Sequence, residues 1–234
     1  FLKSLPMLSV VIPCLNEEAA IGGCLEKILS ADVAGEVLVV DGGSVDSTLL
    51  EVEKFGVRII SGPAGRGAQL AAGARQASGS WLLFVHADTK LGPGWATVVR
   101  RFMEKPDNRF RAGYFRFALE DPAPAARRLE TMVDWRCRVF SLPYGDQGLL
   151  INTTFYESLG GFPKIPLMED VALIRRIPRH RLEPLASVAF TSAKRYSDEG
   201  YLIRSIKNTL LLGLYFLGFS PKYLARLYYS VVKL

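Results

Sequence analysis

The sequence contains few cysteines, and their spacing excludes two classes of protein. Only three are present among 234 residues, at Cys14, Cys24 and Cys137, and none forms a CxxC pair. A zinc-ribbon site and a disulfide framework both need more cysteines at closer spacing. We therefore expect free thiols in a reducing, cytoplasmic compartment.

Long apolar runs are also missing. A helix that crosses a bilayer needs about 20 apolar residues, and the nearest approach, NTLLLGLYFLGF at residues 208–219, falls short. The early run LSVVIP is too short for a signal peptide and has no cleavage-like site. The sequence has no repeat or low-complexity segment, so a globular chain is predicted.

The charge is moderately basic. Lys and Arg together number 29 against 23 Asp and Glu, which gives a net charge of +6 and a pI near 9.3. This balance suits an anionic partner such as nucleotide phosphate, nucleic acid or an acidic membrane surface. The basic residues are scattered and match no nucleic-acid-binding module, so nucleic acid is not the expected partner.

Strand-like apolar runs alternate with helical patterns in the first half of the chain. The predicted strands are LSVVIP, EVLVVD, VRII and WLLFVH, at residues 8–13, 36–41, 57–60 and 81–86. Helices are predicted from Asn16 to about Ser30, after a cap at Ser44, and over Ala68–Ala77. This order predicts right-handed βαβ units and an α/β fold with a mostly parallel sheet.

The second half is less regular. Residues 112–119 alternate like a strand, and helices are predicted from Pro93, over Arg127–Phe140 and from a capping box at Thr154. Two more helices, near 201–217 and 221–233, finish the chain. We expect one domain at residues 1–198, with a nucleotide-binding half to about residue 92 and an acceptor half after it, followed by a helical hairpin at residues 199–234.

Two segments of the first half are candidates for binding a nucleotide. Ligands of a parallel sheet bind beyond the carboxyl ends of its strands, so Asp41 in VVDGGSVDST is placed to bind a base or ribose; the alternative is that Asp41 and Ser44 only cap the next helix. In GPAGRGAQLAAGARQ, open amides at a helix start and Arg66 would suit phosphate. The alternative there is a flexible loop before a small-residue helix that packs closely on the sheet.

Two further segments carry carboxylates. Asp88 follows the buried run WLLFV and suits a hard cation that holds a diphosphate, while His86 is either a second ligand or a structural residue. Glu169 and Asp170 begin a helix and point about 100° apart, so one can face a cleft while the other caps the helix or pairs with Arg175 or Arg176. A carboxylate in a cleft can take a proton from a hydroxyl.

Taken in order, these motifs resemble family 2 glycosyltransferases with a GT-A fold. The series is VVIPCLNEE, VVDGGSVDST, GRGAQLAAGA, FVHADT, YGDQGLLI, GGFP and MEDVAL, and it covers the chain from Leu8 to the C-terminal helices. It looks most similar to the compact bacterial subgroup that carries HAD and GDQG segments. The resemblance implies transfer of a sugar from a UDP- or GDP-sugar to an acceptor hydroxyl, with Mn²⁺ or Mg²⁺ and with inversion.

The resemblance also implies roles for the matching residues. Asp170 would be the general base, and Asp88, the last aspartate of the DxD motif, would bind the metal with His86 beside it. The residues that would border the nucleotide sugar, in addition to Asp88, are Pro13, Glu17, Asp41, Gly65, Arg66, Gly67, Gln147 and Arg195.

Three positions depart from the family pattern. Gly42 stands where a second acidic residue is usual, His86 replaces the first DxD aspartate, and Ala71 stands where asparagine is common in the subgroup. These departures bear on metal affinity and donor identity. The alternatives are a sugar-nucleotide-binding protein without turnover and a sugar-phosphate nucleotidyltransferase, although the chain lacks the lysine-bearing loop of the latter.

The C-terminal helices mix apolar, basic and aromatic residues, among them Arg204, Lys207, Lys222 and Tyr223. This pattern suits interfacial helices on the inner face of a membrane, near a lipid-linked acceptor. The alternative is a hairpin that packs on the domain or at a homodimer interface.

Overall fold

The computed structural model describes residues 7–193, 196 and 199–232. Within these residues eight strands form one sheet. The strands are β1 Leu8–Cys14, β2 Ala34–Asp41, β3 Arg58–Ser61, β4 Trp81–Phe84, β5 Thr89–Leu91, β6 Ala112–Leu119, β7 Leu149–Asn152 and β8 Leu182–Thr191. The helices are α1 Ile21–Leu29, α2 Thr48–Glu53, α3 Arg66–Gln76, α4 Trp95–Glu104, α5 Pro124–Phe140, α6 Thr153–Ser158, α7 Glu169–Ile174, α8 Tyr201–Phe216 and α9 Pro221–Val232.

The sheet runs in the order β3-β2-β1-β4-β7-β6-β8-β5. The block β3-β2-β1-β4 is parallel throughout, and β6 and β8 are also parallel. Strand β7 joins the two blocks as an antiparallel insertion, and β5 closes the far edge antiparallel to β8. The predicted α/β fold with a mostly parallel sheet is confirmed, and the carboxyl ends of β1, β2 and β4 meet at one edge.

Strand β1 is apolar on both faces because helices cover both sides of the sheet. Val10 and Ile12 pack into the core that contains α1 and α4, whereas Val11 points into the opposite core with α3. This burial explains why apolar residues follow one another at Val10, Val11 and Ile12, since strands of a covered parallel block do not alternate. Helix α3 lies unusually close to the sheet, because a methyl group on Gly73 would come within 2.4 Å of Val11 Cγ1.

Several predicted helix starts are wrong. Helix α1 begins at Ile21, and α2 begins at Thr48, so Ser44 does not cap α2. Its hydroxyl instead donates to Asp41. The cap of α6 is Asn152, whose side chain accepts from the amide of Thr154, so the predicted Thr154 capping box is also wrong.

The C-terminal helices form the predicted hairpin, but the basic residues at its start face inward. Arg204 is buried and donates to Glu199, and Lys207 lies 3.5 Å from the same carboxylate. The exposed face of α8 is an apolar stripe that contains Leu202, Ile203, Ile206 and Leu210. Within the described range, every helix is too short or too polar to span a bilayer. A membrane surface or a second subunit against this stripe stays a prediction.

Candidate functional site

The loops that follow β1 and β2 are held together at the carboxyl edge of the sheet. The amide of Asn16 donates to Ser44 Oγ at 2.9 Å, and the amide of Glu17 donates to Thr48 Oγ1 at 2.8 Å. In return, the side chain of Asn16 accepts from the amide of Val45. Glu17 therefore lies beside the loop that follows Asp41, and Pro13 is buried at the end of β1.

Asp41 is buried and holds its own loop. Its carboxylate accepts from the amides of Gly43 and Ser44, at 2.9 and 3.1 Å, and from the Ser44 hydroxyl at 2.6 Å. The alternative interpretation required this carboxylate to cap α2. It does not do so, because the helix begins seven residues later. A base or ribose at Asp41 would have to share oxygens with these loop donors.

A residue that the sequence did not single out holds the two strand ends together. Gln69 is buried on α3, and its Nε2 donates to the carbonyls of Cys14 and Val40 at 2.7 and 2.8 Å. These two bonds satisfy carbonyls at the ends of neighbouring strands and fix the spacing of the loops above them. An isolated glutamine in a small-residue helix carries no sequence signal for this contact.

The start of α3 packs against the segment before α7. Gly65 has a φ of 108°, in the region that favours glycine, and it precedes the first helical residue. A methyl group on Gly67 would lie 2.5 Å from the Pro163 carbonyl oxygen and 2.8 Å from Glu169 Cβ. Glycine at position 67 is therefore needed for close helix packing, whatever its part in binding.

Arg66 is paired with the buried carboxylate of Glu169. Its Nε donates to Glu169 Oε1, and its Nη2 lies 4.0 Å from Asp170 Oδ2. The sequence suggested Arg175 or Arg176 as a partner for Glu169 or Asp170. The structure pairs Glu169 with Arg66 instead. Burial works to lower the pKa of Arg66, but the charges of Glu169 and Asp170 outweigh it and raise that pKa. For Glu169, burial raises the pKa of the carboxyl group, and the positive charge of Arg66 only partly opposes this rise.

Asp170 is presented by a strained turn. Met168, which precedes α7, has a φ of 66°, a conformation uncommon for a residue with a side chain. Asp170 Oδ2 accepts from the amide of Gly145 at 2.8 Å, and Oδ1 accepts from the amide of Val171 at 2.7 Å. Its carboxylate is thus fixed in position at the wall of a small cavity that His86 and Tyr144 also line.

His86 borders the same glycine as Asp170. A methyl group on Gly145 would be 2.7 Å from His86 Nε2 and 3.4 Å from Asp170 Oδ2, so both side chains border Gly145. Asp88 follows two residues later in the turn between β4 and β5 and is half-buried. The structure thereby brings the imidazole of His86 next to the carboxylate of Asp170, with Asp88 two residues further along the chain.

The described residues contain no group of three His, Cys, Asp or Glu side chains that could hold a metal ion by themselves. This donor set still fits Mg²⁺ or Mn²⁺, because such ions are often held by one or two carboxylates together with substrate phosphates. Asp88 would supply one such carboxylate. The three cysteines are buried free thiols, as predicted.

The GDQG segment divides its two polar side chains between the interior and a cavity. Gln147 is buried: its Nε2 donates to the Phe115 carbonyl at 3.1 Å, and its Oε1 accepts from Arg136 at 3.2 Å. This position gives Gln147 a structural role, whereas the sequence had suggested contact with the nucleotide sugar. Asp146 instead lines a large cavity, and no donor in the described part of the chain reaches its buried Oδ1.

Besides burial, the pKa of Asp146 responds to the charges of two other carboxylates, Asp170 and Asp88. Burial raises its pKa to about 6; Arg136 opposes this effect, and the charges of Asp170 and Asp88 add to it. The charges of Asp88 and Asp170 therefore both reach Asp146. Arg195, the remaining candidate, lies outside the described residues.

The Arg66–Glu169 pair gives an asymmetric prediction. Arg66→Ala is expected to lower the free energy of unfolding by about 3 kcal/mol, because it leaves a buried carboxylate without its partner. Adding Glu169→Gln to that variant should recover most of the loss. Urea denaturation measures the free energy of unfolding of the single and the double variant. Arg58→Ala, which removes an exposed arginine, is the control. A double variant no more stable than Arg66→Ala would contradict this account of the pair.

Asp146 gives a pH-dependent prediction. Because its pKa is raised from 3.8 to about 6, the folded chain binds this proton more tightly than the unfolded chain. Stability from this group is present below pH 4 and is lost as the pH rises towards 6. At pH 8 Asp146→Asn should be more stable than the wild type by on the order of 2 kcal/mol, since one pKa unit is about 1.4 kcal/mol and the group is only partly buried.

Urea titrations at pH 4 and pH 8, with EDTA in both buffers, test this expectation. The two proteins should differ at pH 8 and agree at pH 4. An equal difference at the two pH values would show that ionisation of Asp146 is not its cause.

Residues 9–159 match the family model described as glycosyl transferase family 2. An N-acetylglucosaminyltransferase of Bradyrhizobium elkanii is 36% identical over 115 residues, which cover 44% of this chain and 63% of that protein. A PGL/p-HBAD biosynthesis glycosyltransferase of Mycobacterium tuberculosis is 36% identical over 94 residues, 37% of each chain. The chain thus matches less than two thirds of the length of these relatives.

Two solved structures share the fold. S. aureus TarS 1-349 superposes with a TM-score of 0.62 at 19% identity, over 80% of this chain and 60% of that one. Glucosyl-3-phosphoglycerate synthase from Mycobacterium tuberculosis, in complex with Mn²⁺, UDP and glucosyl-3-phosphoglycerate, superposes with a TM-score of 0.56 at 20% identity, over 80% and 70%. The predicted GT-A fold is confirmed.

Proposed function

Because this chain belongs to glycosyl transferase family 2, we propose that it transfers a sugar from a nucleoside-diphosphate sugar to an acceptor hydroxyl, with inversion and with a divalent metal ion. The observation that carries the proposal is the position of Asp170. Its carboxylate is fixed by two backbone amides and borders, with His86, the glycine that opens the GDQG segment. A rigid carboxylate in such a cavity suits proton abstraction from a bound hydroxyl.

Asp170 is proposed as the general base. It takes the proton of the acceptor hydroxyl as that oxygen attacks the anomeric carbon from the face opposite the leaving group, which inverts the centre. Gly145 N–H holds one carboxylate oxygen and Val171 N–H holds the other, so the side chain need not reorganise on binding. Glu169 is unsuited to this role, because it is buried and paired with Arg66.

Asp88 is proposed to hold the metal ion together with the donor's diphosphate, with His86 as a second ligand or a neighbour. When bound, the ion neutralises charge on the leaving diphosphate. Arg66 keeps guanidinium donors beyond the Nε that Glu169 occupies, so it can also donate to a phosphate oxygen. Mn²⁺ and UDP in the mycobacterial synthase structure support this choice of ion and donor class.

The nucleoside is proposed to lie over the interlocked loops of β1 and β2, bordered by Pro13, Glu17 and Asp41. The amides of Gly65 and Gly67 lie at the α3 N-terminus, where the helix dipole favours phosphate. We propose that residues 1–92 bind the nucleotide and that residues 93–198 contribute to the acceptor site, with the hairpin of α8 and α9 packed beside them.

A screen of UDP- and GDP-sugars by thermal shift, with Mn²⁺ or with EDTA, tests the proposal. One donor class should raise the melting temperature only with Mn²⁺, and that donor should be slowly hydrolysed. A shift without hydrolysis or transfer would favour the alternative of a binding protein without turnover. No shift with any donor would contradict the proposal.

A further inference from the structure

A large cavity opens beside the region of Asp170. It measures about 960 Å³ and lies between α5 and α8. Its apolar lining includes Trp135 and Phe140 from α5 and Leu212 and Phe216 from α8. A volume of this size falls in the range of sites that enclose small organic molecules.

The cavity adjoins the small cavity that Asp170 and His86 line. Tyr144 and Ile174 contribute to the walls of both. Asp146 lines the large cavity, and its buried Oδ1 receives no hydrogen bond from the described residues. A buried carboxylate oxygen without a donor is costly, so this atom is suited to accept a hydrogen bond from a bound molecule.

The charges at this junction favour a neutral group. Asp146 and Asp170 supply negative charge here. Of the arginines that line the large cavity, Arg175 and Arg179 are exposed at its rim, with Arg175 against the Phe216 ring. Arg136 is engaged within the protein, where its Nε donates to the Leu142 carbonyl and its guanidinium lies 3.5 Å from the Tyr144 ring centre. Arg66, near Asp170, is paired with Glu169. An uncharged hydroxyl can donate to the carboxylates of Asp146 and Asp170.

We propose that this cavity is the acceptor site and that the acceptor is a neutral amphiphile, with an apolar chain or ring system between α5 and α8 and an uncharged hydroxyl directed to Asp146 and Asp170. The inference rests on the proposed function and adds the chemical class of its acceptor. Burial of hydrocarbon against the apolar walls supplies affinity, and the carboxylates select the hydroxyl.

Calorimetry with three probes tests the proposal: octyl glucoside below its micelle concentration, methyl glucoside, and octyl phosphate. Octyl glucoside is expected to bind the wild type at least tenfold more tightly than either of the others, because only it combines a chain with neutral hydroxyls. Equal affinity for methyl glucoside would overturn the apolar site, and tighter binding of octyl phosphate would overturn the neutral head.

Cavity-filling variants locate the binding. Leu212→Trp and Ser205→Phe place bulk at the cavity wall and should weaken octyl glucoside at least tenfold, while Leu210→Trp, at an exposed position of the same helix, should not. Equal weakening by Leu210→Trp would indicate adsorption to the surface of α8 and would overturn the site. Two cavity variants are used so that the test still stands if one of them does not fold.

Donor experiments separate this proposal from the proposed function. Octyl glucoside should slow donor hydrolysis by the wild type, because it excludes water from the site, and should not do so in Leu212→Trp. Unaffected hydrolysis at saturating glucoside would put the cavity away from the reaction. If instead no UDP-sugar binds with Mn²⁺ while octyl glucoside does, the proposed function fails and the cavity remains a ligand site.

Discussion

Asp170→Asn is expected to lower the rate of sugar transfer by about 10³-fold while donor affinity changes by less than about threefold. The asparagine amide cannot take the proton of the acceptor hydroxyl. The asparagine side chain has the same size and keeps one oxygen that can accept from the amide of Gly145. In the wild type this amide donates to Asp170 Oδ2 at 2.8 Å. Loss of turnover without loss of binding identifies a group needed for the chemical step.

The measurement is a turnover assay paired with calorimetry of UDP binding in Mn²⁺. Asp134→Asn is a matched control, because Asp134 is a carboxylate on α5 that pairs only with the exposed Arg138 among the described residues. The control should keep wild-type turnover. Turnover of Asp170→Asn close to that of the wild type would exclude Asp170 as the base.

Asp88→Ala is expected to abolish the effect of metal on donor binding. In the wild type, Mn²⁺ should strengthen UDP binding at least tenfold over EDTA, because Asp88 would hold the ion where it can neutralise charge on the diphosphate. The variant should bind UDP with the same affinity in both buffers. A smaller loss in His86→Ala would identify His86 as a neighbour, and an equal loss would identify it as a second ligand.

Calorimetry with and without EDTA measures this effect on the binding step alone. Asp107→Ala provides the control, since Asp107 is an exposed carboxylate next to the start of a short 3₁₀ turn. A metal effect retained in Asp88→Ala would contradict the role of Asp88, whatever happened to turnover.

The parallel half of the fold was predictable because its strands are short, apolar and regularly spaced. WLLF and LSVVIP lie in the centre of the sheet, where burial on both faces requires such runs. Strands β5, β7 and β8 were not predicted. The sequence of β8, LEPLASVAFT, interrupts its apolar pattern with a glutamate and a proline, and its pairing with β6 depends on tertiary contact.

The candidate site was predictable where a residue ends a strand or begins a helix, and not where a long-range contact decides its role. Asp170, in the first turn of α7, and Asp88, in the turn after β4, were singled out in this way, and their roles stay predictions. The Arg66–Glu169 pair joins residues 103 positions apart, so Glu169 could not be matched to its partner from the local sequence. Gln147 and Asp146 are adjacent polar residues in a turn, and only the structure separates the buried one from the one that lines the cavity.

The central claim is that Asp88 and Asp170 border one donor site. The most direct test is a crystal structure of Asp170→Asn with Mn²⁺ and the donor identified by the screen. The Mn²⁺ anomalous peak should lie about 2.2 Å from an Asp88 oxygen, a usual distance for a divalent ion and a carboxylate, and the anomeric carbon should face residue 170. A metal bound away from Asp88, or a sugar that points away from residue 170, would contradict the account.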